Sequence, residues 1–581
     1  MLAILARVRF HSRDLASILV FVTLSSLTQM VIPVFLSIMI DNGIAKSDER
    51  LLITLAAAMA ALAIAATIMR IAAVRISSRI ATDFSARLRS EIFRKVQTFS
   101  SPEIDKFGTA SLIMRSTSDV TSIQNFLTQQ LQVGMYAAAM AAAGVVFSVA
   151  TAGKLAIVLV ITIPVMIVAL TTVIVIAAGY SSRLRQKIDD INRLFLETLE
   201  GVRAIRAFNK QDFEMGRFQR LNEESAQVSR KANMASSSLF PVVYTLFGIA
   251  TVAVMAVGSK FVVAGNVEIG TLVAAAQYIT IILASIMIEA SVVSLFPDAY
   301  ACMKRISAVL STDSSIQNPE KEMPKPAIRG TVEFRNVTFA YPGAEEPVIK
   351  GVSFCSRPGE TTAIIGRTGC GKSSLVKLIP RLYDTLFGDV LVDGVNVKDY
   401  SVEKLREKIG YVPQKNVLFA GDIASNLNFG KENGTEEDWE EAARIACAKE
   451  FVAKKDGTYH AAISQGGTNL SGGQRQRLAI ARAVMKHPEI YIFDDSFSAL
   501  DMKTDKDLRA NLKKSMGNAT VIVVAQRVSS IVDATRILVL DQGEVVGMGT
   551  HQELLRSCNL YREIAEIQLG KEAVERETNR L

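Results

Sequence analysis

Long apolar stretches fill the first half of the chain, whereas the second half mixes apolar and charged positions as water-soluble proteins do. A helix that spans a bilayer needs about 20 mostly apolar residues. Six stretches meet that length, at about 15–40, 51–75, 127–153, 155–180, 239–262 and 269–296. The pattern predicts six membrane-spanning helices followed by a soluble half.

The connections between the predicted spans alternate between long and short, and the long ones are rich in basic residues. The connection after the second span contains Arg79, Arg87 and Arg94, and the connection after the fourth contains Arg183 and Arg206. Lys and Arg are retained on the cytoplasmic side of a membrane. Both long connections, both termini and the soluble half are therefore expected in the cytoplasm.

Apolar residues recur at helical spacing in the second long connection, from Ile191 through Leu194 to Phe208. This periodicity predicts that the spans continue as helices into the cytoplasm and turn there. We expect the two turns near Ser111–Ser122 and Asn209–Arg217.

The composition agrees with a membrane protein and excludes several other classes. Hydrophobic residues make up 49% of the chain and charged residues 21%, with a mean hydropathy of +0.27, which excludes an intrinsically disordered chain. The net charge is +8, but many basic residues flank the spans, so we expect no nucleic-acid partner. The five cysteines have no CxxC spacing, which indicates a reducing compartment and neither a disulfide framework nor a zinc site.

The domain organisation follows from shifts in composition along the chain. Pro and polar residues between positions 311 and 330 predict a linker. We expect a membrane domain at 1–310, a soluble domain at 331–570 and a C-terminal tail at 571–581. The alternating charges from Tyr561 onward predict a solvated helix.

A phosphate-binding motif follows two predicted strands, Thr331–Phe339 and Glu360–Ile365, and matches the P-loop pattern GxxxxGK[ST]. In this pattern, backbone amides of the loop and of the following helix surround phosphate oxygens. Lys372 is predicted to reach the outer phosphates and Ser373 to ligate Mg²⁺. The predicted nucleotide-binding residues of the loop are Gly366, Arg367, Thr368, Gly369, Cys370, Gly371, Lys372, Ser373 and Ser374.

Two further motifs lie downstream of the P-loop. The apolar segment Glu489–Phe493 predicts a strand that ends in Asp494 and Asp495, where a Walker B aspartate would hold magnesium. The segment Leu470–Arg477 reads LSGGQRQR, in which Ser-Gly-Gly opens a helix and provides a second anion-binding N-terminus.

These motifs, in this order behind six spans, resemble the half-transporters of bacterial ATP-binding cassette (ABC) exporters over essentially the whole chain. The resemblance implies an α-helical polytopic membrane domain with long cytoplasmic extensions, fused to an α/β P-loop ATPase domain, in the bacterial cytoplasmic (inner) membrane. In that family two cassettes pair head to tail, and each ATP lies between one chain's P-loop and the other chain's LSGGQ helix. The cytoplasmic turns would be the coupling helices that dock on the cassettes.

The resemblance also implies roles for individual positions. Tyr341 matches the aromatic residue that stacks on adenine, and Gln414 matches the Q-loop glutamine. The implied cofactors are ATP and Mg²⁺, with Ser373, Gln414 and Asp494 at the metal. The residues implied to complete a partner chain's site are Ser471, Gly472, Gly473 and Gln474.

Two catalytic positions depart from the family pattern. Asp495 stands where the catalytic glutamate is expected, and Gln526 replaces the histidine that contacts the γ-phosphate. Aspartate is one methylene shorter, and a misplacement of about 1 Å can cost about 10²-fold in rate. With Gln414 these are the implied catalytic residues. The pattern resembles the degenerate-site subunit of heterodimeric multidrug-type exporters, whose own site hydrolyses ATP poorly while its LSGGQ helix completes a partner's site.

Two alternatives stay open at the level of sequence. The first is a homodimeric exporter that tolerates both substitutions, and the second is an ATP-binding gated channel or regulatory membrane subunit. An apolar or amphipathic substrate is expected from the family, but the residues do not identify it. Glu289 is the acidic residue inside the last predicted span; it marks either a functional site or a side chain near the membrane surface that reaches water or a basic neighbour.

Overall fold

The computed structural model describes residues 12–153, 157–319 and 329–579. The chain forms two compact units. The membrane unit comprises Met1–Gln97 and Ala110–Ser311, and the cassette unit comprises Thr98–Thr109 and Thr312–Leu581. The segment Thr98–Thr109, which the sequence placed in the membrane domain, groups with the cassette unit.

The membrane unit contains six helices that are long and apolar enough to cross a membrane within the described residues, which confirms the predicted number. They are Arg13–Ile44, Glu49–Gln97, Thr109–Thr151, Ile161–Ala207, Gln211–Val263 and Ile269–Ser311. Several extend well beyond their apolar part, as the periodicity predicts. Their α-helical segments are α1 (Ser12–Ile38), α2 (Glu49–Gln97), α4 (Thr109–Met114), α5 (Val120–Gln129), α6 (Met135–Ala152), α7 (Ile157–Ala207), α8 (Gln211–Ser237), α9 (Leu239–Val263), α10 (Ile269–Val293) and α11 (Phe296–Ser311), and α3 (Ser101–Phe107) belongs to the cassette unit.

Hydrogen bonds from side-chain hydroxyls to backbone oxygens join helices of the membrane unit. The Tyr278 hydroxyl donates to the backbone oxygen of Met30 at 2.9 Å, and the Ser25 hydroxyl donates to the backbone oxygen of Ala66 at 3.0 Å. Hydrogen bonds between helices compete with no water in a bilayer and so fix helix pairs. Large apolar side chains such as Ile53 and Val168 stay exposed, as expected of a surface that faces lipid.

Two π-helical turns, Arg115–Asp119 and Gln130–Gly134, interrupt the third long helix. In the first turn, the buried Asp119 carboxylate accepts two hydrogen bonds from the Arg305 guanidinium, from Nε at 2.8 Å and from Nη2 at 2.5 Å. This pair fastens the turn to α11, and the Arg115 guanidinium donates to the Arg305 backbone oxygen at 3.0 Å.

The turn between the second and third long helices lies earlier than the sequence predicted. The segment Ser111–Ser122 is inside the next long helix, and the turn falls at 98–108 around the short helix α3. Ser100 and Glu103 form a capping box, and Gly108 ends the helix at φ 74°. In the second turn, helix α7 ends at Ala207 and α8 begins at Gln211, so Asn209 and Lys210 lie in the turn and Gln211–Arg217 of the predicted segment is helical.

Three β-sheets form the frame of the cassette unit. The six-stranded sheet has the order β12-β11-β3-β10-β9-β6, the four-stranded sheet has the order β2-β1-β4-β5, and β7 and β8 form an antiparallel two-stranded sheet. The strands are β1 (Val332–Phe339), β2 (Ile349–Ser356), β3 (Thr361–Gly366), β4 (Phe387–Val392), β5 (Val395–Asn396), β6 (Ile409–Val412), β7 (Gly421–Asp422), β8 (Ala462–Ile463), β9 (Ile490–Asp494), β10 (Thr520–Val524), β11 (Arg536–Asp541) and β12 (Glu544–Gly549).

Helices cover both faces of the six-stranded sheet. Successive side chains of a strand point to opposite faces, so Ile364 joins one core while Ala363 and Ile365 join the other. The helices are α12 (Lys372–Lys377), α13 (Val402–Glu407), α14 (Ile423–Leu427), α15 (Glu436–Ile445), α16 (Lys449–Ala453), α17 (Gly472–Met485), α18 (Met502–Ser515), α19 (His551–Ser557), α20 (Asn559–Leu569) and α21 (Lys571–Asn579).

The C-terminal helices α20 and α21 pack into the core that contains Ala363 and Ile365. The prediction that this segment is a solvated helix is therefore wrong about its exposure to solvent. Tyr561 is fully buried, and Ala565 and Val574 belong to the same apolar cluster. Both helices are amphipathic: the charges that alternate along the sequence lie on one face, and a few apolar positions anchor the other face.

Candidate nucleotide site

The P-loop connects β3 to α12, and two of its glycines are required by close backbone contacts. A Cβ at Gly366 would lie 2.0 Å from the backbone oxygen of Leu540. A Cβ at Gly371 would lie 2.9 Å from the backbone oxygen of Val348, and this residue has a φ of 100°, which favours glycine. The loop is therefore fixed by its backbone, and its amides are free of side-chain bulk.

Lys372 lies at the start of α12 and turns back over its own loop. Its Nζ donates to the backbone oxygens of Gly366 and Arg367 at 2.9 and 2.8 Å and lies 3.7 Å from the Cys370 sulfur. Arg367 forms an exposed ion pair with Glu563 on α20 at 3.1 Å. The ammonium group thus lies over the loop, where phosphate oxygens would be bound.

The next residue in the helix joins the loop to the end of β9. The Ser373 hydroxyl donates to Oδ1 of Asp494 at 2.7 Å, and the Tyr411 hydroxyl donates to Oδ2 at 3.3 Å. Asp494 is 1% exposed. Burial raises the pKa of the Asp494 carboxyl above its usual range, and the two hydroxyl donors oppose that shift.

Asp495 follows Asp494 and has its backbone held at three points. Its N–H donates to Val524 O at 3.1 Å, and its carbonyl oxygen accepts from Gln476 Nε2 at 3.3 Å and from Ser498 Oγ at 3.1 Å. Its φ is 51°, a left-handed conformation that few residues other than glycine adopt. The surroundings impose this conformation on the aspartate, and its side chain is thereby directed toward the loop.

Two amide groups converge on one oxygen of the Asp495 carboxylate. Gln526 Nε2 donates to Oδ2 at 2.7 Å, and Gln414 Nε2 approaches the same oxygen at 3.3 Å. Burial raises the pKa of the Asp495 carboxyl, while the hydrogen bond from Gln414 opposes the shift. Of the three residues that the sequence singled out as catalytic, Gln414 and Gln526 therefore both contact Asp495.

A cavity of about 340 Å³ lies between these groups. The Tyr341 hydroxyl at its rim lies 2.9 Å from the Ser374 hydroxyl. The lining residues are Tyr341, Val348, Thr368, Gly369, Gly371, Lys372, Ser373, Ser374, Gln414, Asp495, Val524 and Gln526. Ten of the twelve were already singled out in the loop or as catalytic, metal-binding or adenine-contacting residues, and Val348 and Val524 contribute apolar wall that no motif indicated.

The LSGGQ residues are not among the residues that line this cavity. Ser471 is the N-cap of α17, where its hydroxyl accepts from the backbone N–H of Gln474 at 3.3 Å and Gln474 Oε1 accepts from the Ser471 N–H at 3.1 Å. Ser471 and Gly472 are exposed. The helix N-terminus is thus a preformed surface with exposed backbone donors, separate from the cavity.

Gln568 holds the segment that carries Gln526, and sequence reasoning missed it. Its Nε2 donates to the backbone oxygen of Gln526 at 2.8 Å, and its Oε1 accepts from the Val528 N–H at 2.7 Å. Gln568 lies on α20, 42 positions further along the chain. No local motif signals such a contact, because only the packing of the C-terminal helices brings it into place.

The residues that line this site fit a nucleoside triphosphate bound together with a hard divalent cation. The cavity combines a Gly-rich backbone loop, the Lys372 cation and an adjacent tyrosine ring, and Asp494 supplies a buried carboxylate beside the Ser373 hydroxyl. Within the described residues, no group of three or more His, Cys, Asp or Glu side chains could hold a metal by itself. Mg²⁺ is typically held by one or two carboxylates, waters and phosphate oxygens, which is the donor set that this site can supply.

Comparisons with known proteins agree with this geometry. Residues 15–286 match the family described as the ABC transporter transmembrane region, and residues 349–498 match the family described as ABC transporter. An uncharacterized ABC transporter ATP-binding protein of Mycobacterium tuberculosis is 37% identical over 97% of each chain. An ATP-dependent lipid A-core flippase of Syntrophus aciditrophicus is 30% identical, over 87% of this chain and 83% of the flippase. The fold is similar to the structure of a bacterial Atm1-family ABC exporter with ATP bound, with a TM-score of 0.78, 23% identity, and coverage of 95% of this chain and 97% of that one.

Proposed function

This chain belongs to the ABC transporter family as an exporter half-transporter, and we propose that it is the subunit of a heterodimeric exporter whose own ATP site is impaired in hydrolysis. The family couples ATP hydrolysis in the cassette to transport through the membrane domain. On this proposal, the chain contributes one binding-competent, slow ATP site and one intact LSGGQ surface to a two-chain assembly.

The contact between Asp495 and Gln526 is the observation that carries the proposal. Both catalytic departures lie in one cavity, and Gln526 donates to the Asp495 carboxylate at 2.7 Å. With Gln414 on the same oxygen, the carboxylate is engaged by two amides. A general base must reach the attacking water directly, and this shorter, hydrogen-bonded side chain is poorly placed to do so.

Loss of positive charge at position 526 acts in the same direction. A histidine there could carry a proton toward the transferring phosphate, whereas the glutamine amide is a neutral donor. Groups that stabilise charge developing in the transition state typically contribute about 2.7–4 kcal/mol each. Two weakened contributions in one site predict a rate lower by about 10²-fold or more.

The binding half of the site retains what the nucleotide requires. Lys372 and the loop amides would hold the phosphates, and Ser373, Gln414 and Asp494 would hold Mg²⁺, which neutralises phosphate charge when bound. Asp494 keeps its hydrogen bond from Ser373 at 2.7 Å. The proposal is therefore one of slow hydrolysis with ordinary binding.

Two exposed surfaces support the need for a partner chain. The N-terminus of α17 presents Ser471 and Gly472 at the surface, where a partner's ATP would complete its site. At the second cytoplasmic turn, Phe208 and Phe213 are 75% and 63% exposed, which is costly for aromatic rings in water. A partner cassette docked at that turn would cover them.

The first turn would transmit nucleotide state to the membrane helices. Helix α3 is fastened within the cassette unit, because the Tyr383 hydroxyl donates to Asp105 at 2.7 Å and Glu103 accepts from the Ser315 N–H at 3.1 Å. Tyr383 also packs edge-on against Tyr341 at the rim of the cavity, with ring centroids 5.2 Å apart. Closure of two cassettes over ATP would move α3 and switch the spans between inward- and outward-facing states.

The partner, on this proposal, is a second ABC half-transporter chain that keeps the catalytic glutamate and histidine. Two copies of the present chain would form two slow sites. The transported molecule is an apolar or amphipathic compound that enters from the lipid bilayer or the cytoplasm, and the chain resides in the bacterial cytoplasmic membrane. The name of the lipid A-core flippase agrees with an amphipathic substrate class.

ATP turnover of the purified chain, compared with a variant that carries Asp495→Glu and Gln526→His, tests the proposal. The native chain should be nearly inactive, and the double variant should turn over ATP about 10²-fold faster. The same double variant with Lys372→Ala is the matched control and should be inactive, which assigns the restored rate to this site. Brisk turnover by the native chain would contradict the proposal and favour a homodimeric exporter.

Transport by the assembled pair distinguishes an exporter from an ATP-gated channel. Inverted vesicles that contain this chain and its partner should accumulate an amphipathic dye against a gradient when ATP is supplied. Dye movement that only follows its gradient would favour the channel or regulatory alternative.

A further inference from the structure

Glu289 is half-buried in the apolar helix α10, and one oxygen of its carboxylate has no hydrogen-bond partner among the described residues. Its Oε2 is inaccessible to solvent and has no hydrogen-bond partner within the described residues. Its Oε1 has a single donor, Gln130 Nε2, at a long distance of 3.4 Å. A carboxylate in a membrane span is costly and is retained where it has a task.

The backbone of the third long helix is adapted to this contact. Gln130 begins the π-helical turn Gln130–Gly134, and π-turns within helices frequently mark functional sites. A Cβ at Gly134 would lie 2.6 Å from the Gln130 amide nitrogen. The absence of a side chain at position 134 therefore makes the room in which the Gln130 amide turns toward Glu289.

The nearby cation, Arg70, is directed to the other side of the same turn. The Gln132 side chain reaches Val74 O on α2 at 3.5 Å, whereas the Gln130 side chain reaches Glu289 on α10. Arg70 donates to the Gln132 backbone oxygen and lies 4.1 Å from the centroid of the Tyr136 ring. Arg70 thus contacts Gln132 and Tyr136, although its Nη1 has no hydrogen-bond partner among the described residues. Among those residues, no ion pair joins Glu289 to a basic side chain.

A cluster of aromatic rings begins one helical turn from Gln130 on the third long helix. Phe126 is four residues before Gln130, one helical turn away, and its ring meets Phe296 edge-on with centroids 5.7 Å apart. Phe296 in turn stacks with Tyr300 at 5.9 Å, and both rings are partly exposed, at 37% and 50%. A carboxylate oxygen without a partner, about one helical turn from aromatic rings with exposed faces, matches the needs of an organic cation that pairs with the acid while its apolar body contacts the rings.

We propose that Glu289 and Gln130, together with the rings of Phe126, Phe296 and Tyr300, form a subsite for the cationic group of an amphipathic substrate. This inference rests on the proposed export function and assigns the charge class of its substrate. The free oxygen of Glu289 receives the cation, Gln130 orients the carboxylate, and the aromatic rings contact the apolar body of the substrate.

Binding of two probes of equal size and opposite charge tests the subsite. Tetraphenylphosphonium and tetraphenylborate are titrated onto the full chain, with its partner where the two co-purify, in nanodiscs without nucleotide. The native protein should bind the cation more tightly than the anion. Glu289→Gln, which keeps the shape of the side chain, should weaken cation binding about tenfold and leave anion binding unchanged or stronger.

Two control variants complete the test. Glu289→Asp should retain most of the preference for the cation, and Glu268→Gln, which changes an exposed acid at the start of the same helix, should leave both affinities unchanged. Equal binding of the cation by native protein and Glu289→Gln, or an equal loss for both probes, would overturn the proposal.

Because binding is measured without hydrolysis, its outcome is independent of ATP turnover. Fast turnover by the native chain would refute the impaired site while a charge preference still stood. Conversely, absence of charge preference would refute the subsite alone.

Discussion

The phosphate-binding loop and the hydrolytic pair occupy one cavity but differ in how far they keep the family pattern. The loop keeps every element, and backbone contacts that admit only glycine at Gly366 and Gly371 hold it in place. The pair Asp495 and Gln526 lies where the family pattern has its catalytic glutamate and histidine, but with different chemical groups. The contact between the two residues joins a shorter carboxylate to a neutral amide. On the proposed function, this difference means that ATP binding and ATP hydrolysis depend on separate groups of one site.

The backbone of Asp495 is held independently of its side chain. Asp495 is held through its own N–H and carbonyl by Val524, Gln476 and Ser498. These contacts involve main-chain atoms of residue 495, so a glutamate at the same position could adopt the same backbone conformation. The departure is confined to side chains, which is why two substitutions are expected to reverse it.

The largest effect is expected from removal of the Lys372 ammonium. Hydrogen bonds to charged groups contribute about 1.5–3 kcal/mol, so Lys372→Ala should weaken ATP binding by about 10- to 100-fold. Equilibrium binding of a fluorescent ATP analogue measures this directly. Lys506→Ala, which changes an exposed lysine on α18, is the control and should leave affinity unchanged; equal affinities for Lys372→Ala and native protein would contradict the role of the loop.

The second effect separates this chain's own site from its partner's. Ser471→Ala removes a hydroxyl at the exposed N-terminus of α17, away from the cavity of its own chain. ATP turnover of the assembled pair should fall about tenfold, as expected for the loss of one hydrogen bond to a charged phosphate, while ATP affinity measured on this chain alone stays unchanged. A loss of affinity in the isolated chain would show that the serine acts within its own chain.

A smaller effect is expected where Gln568 holds the Gln526 segment. In the background of Asp495→Glu and Gln526→His, Gln568→Ala removes two hydrogen bonds to the backbone at positions 526 and 528. Each is worth about 1 kcal/mol, so kcat should fall about three- to tenfold with KM for ATP unchanged. Gln552→Ala, at an exposed position on α19, is the matched control; a change in KM with constant kcat would contradict a positioning role.

The smallest effect concerns the stability cost of the buried Asp494. Its pKa is raised by burial, so ionisation disfavours the folded state once the pH exceeds the usual aspartate range of about 4. Without nucleotide and Mg²⁺, Asp494→Asn should raise the melting temperature by a few degrees at neutral pH. The gain in melting temperature should shrink as the pH is lowered toward 4, because Asp494 is then increasingly protonated, and so uncharged, in both the folded and the unfolded state. A gain that is constant with pH would exclude ionisation as its cause.

Much of this architecture could be predicted from the sequence because its signals are local. The six spans follow from apolar length, and the P-loop and Asp494 follow from short motifs whose strands and helix occur as expected. Contacts between distant segments could not be predicted. The first turn was placed at Ser111–Ser122, whereas the capping box of Ser100 and Glu103 sets it at 98–108, and the C-terminal helix was expected in solvent although Tyr561 is buried.

In the candidate site, too, the residues within motifs could be predicted from the sequence, whereas the contacts between distant segments could not. Motifs indicated the residues that would touch ATP, but neither Gln568 nor the convergence of Gln414 and Gln526 on one carboxylate oxygen has a signal in the sequence. These contacts depend on which side chains the packed helices and strand ends bring together. The roles in hydrolysis that we assign to Asp495, Gln526 and Gln414 remain predictions from their positions.

The identity of the nucleotide held at this chain's P-loop tests the central claim most directly. The assembled pair is incubated with Mg²⁺ and a photoreactive ATP labelled on the α-phosphate, then illuminated, and the nucleotide attached to each chain is analysed. We predict ATP on this chain after its partner's site has turned over many times, and conversion to ADP when Asp495→Glu and Gln526→His are present. Predominantly ADP on the native chain after one turnover of the partner would contradict the account.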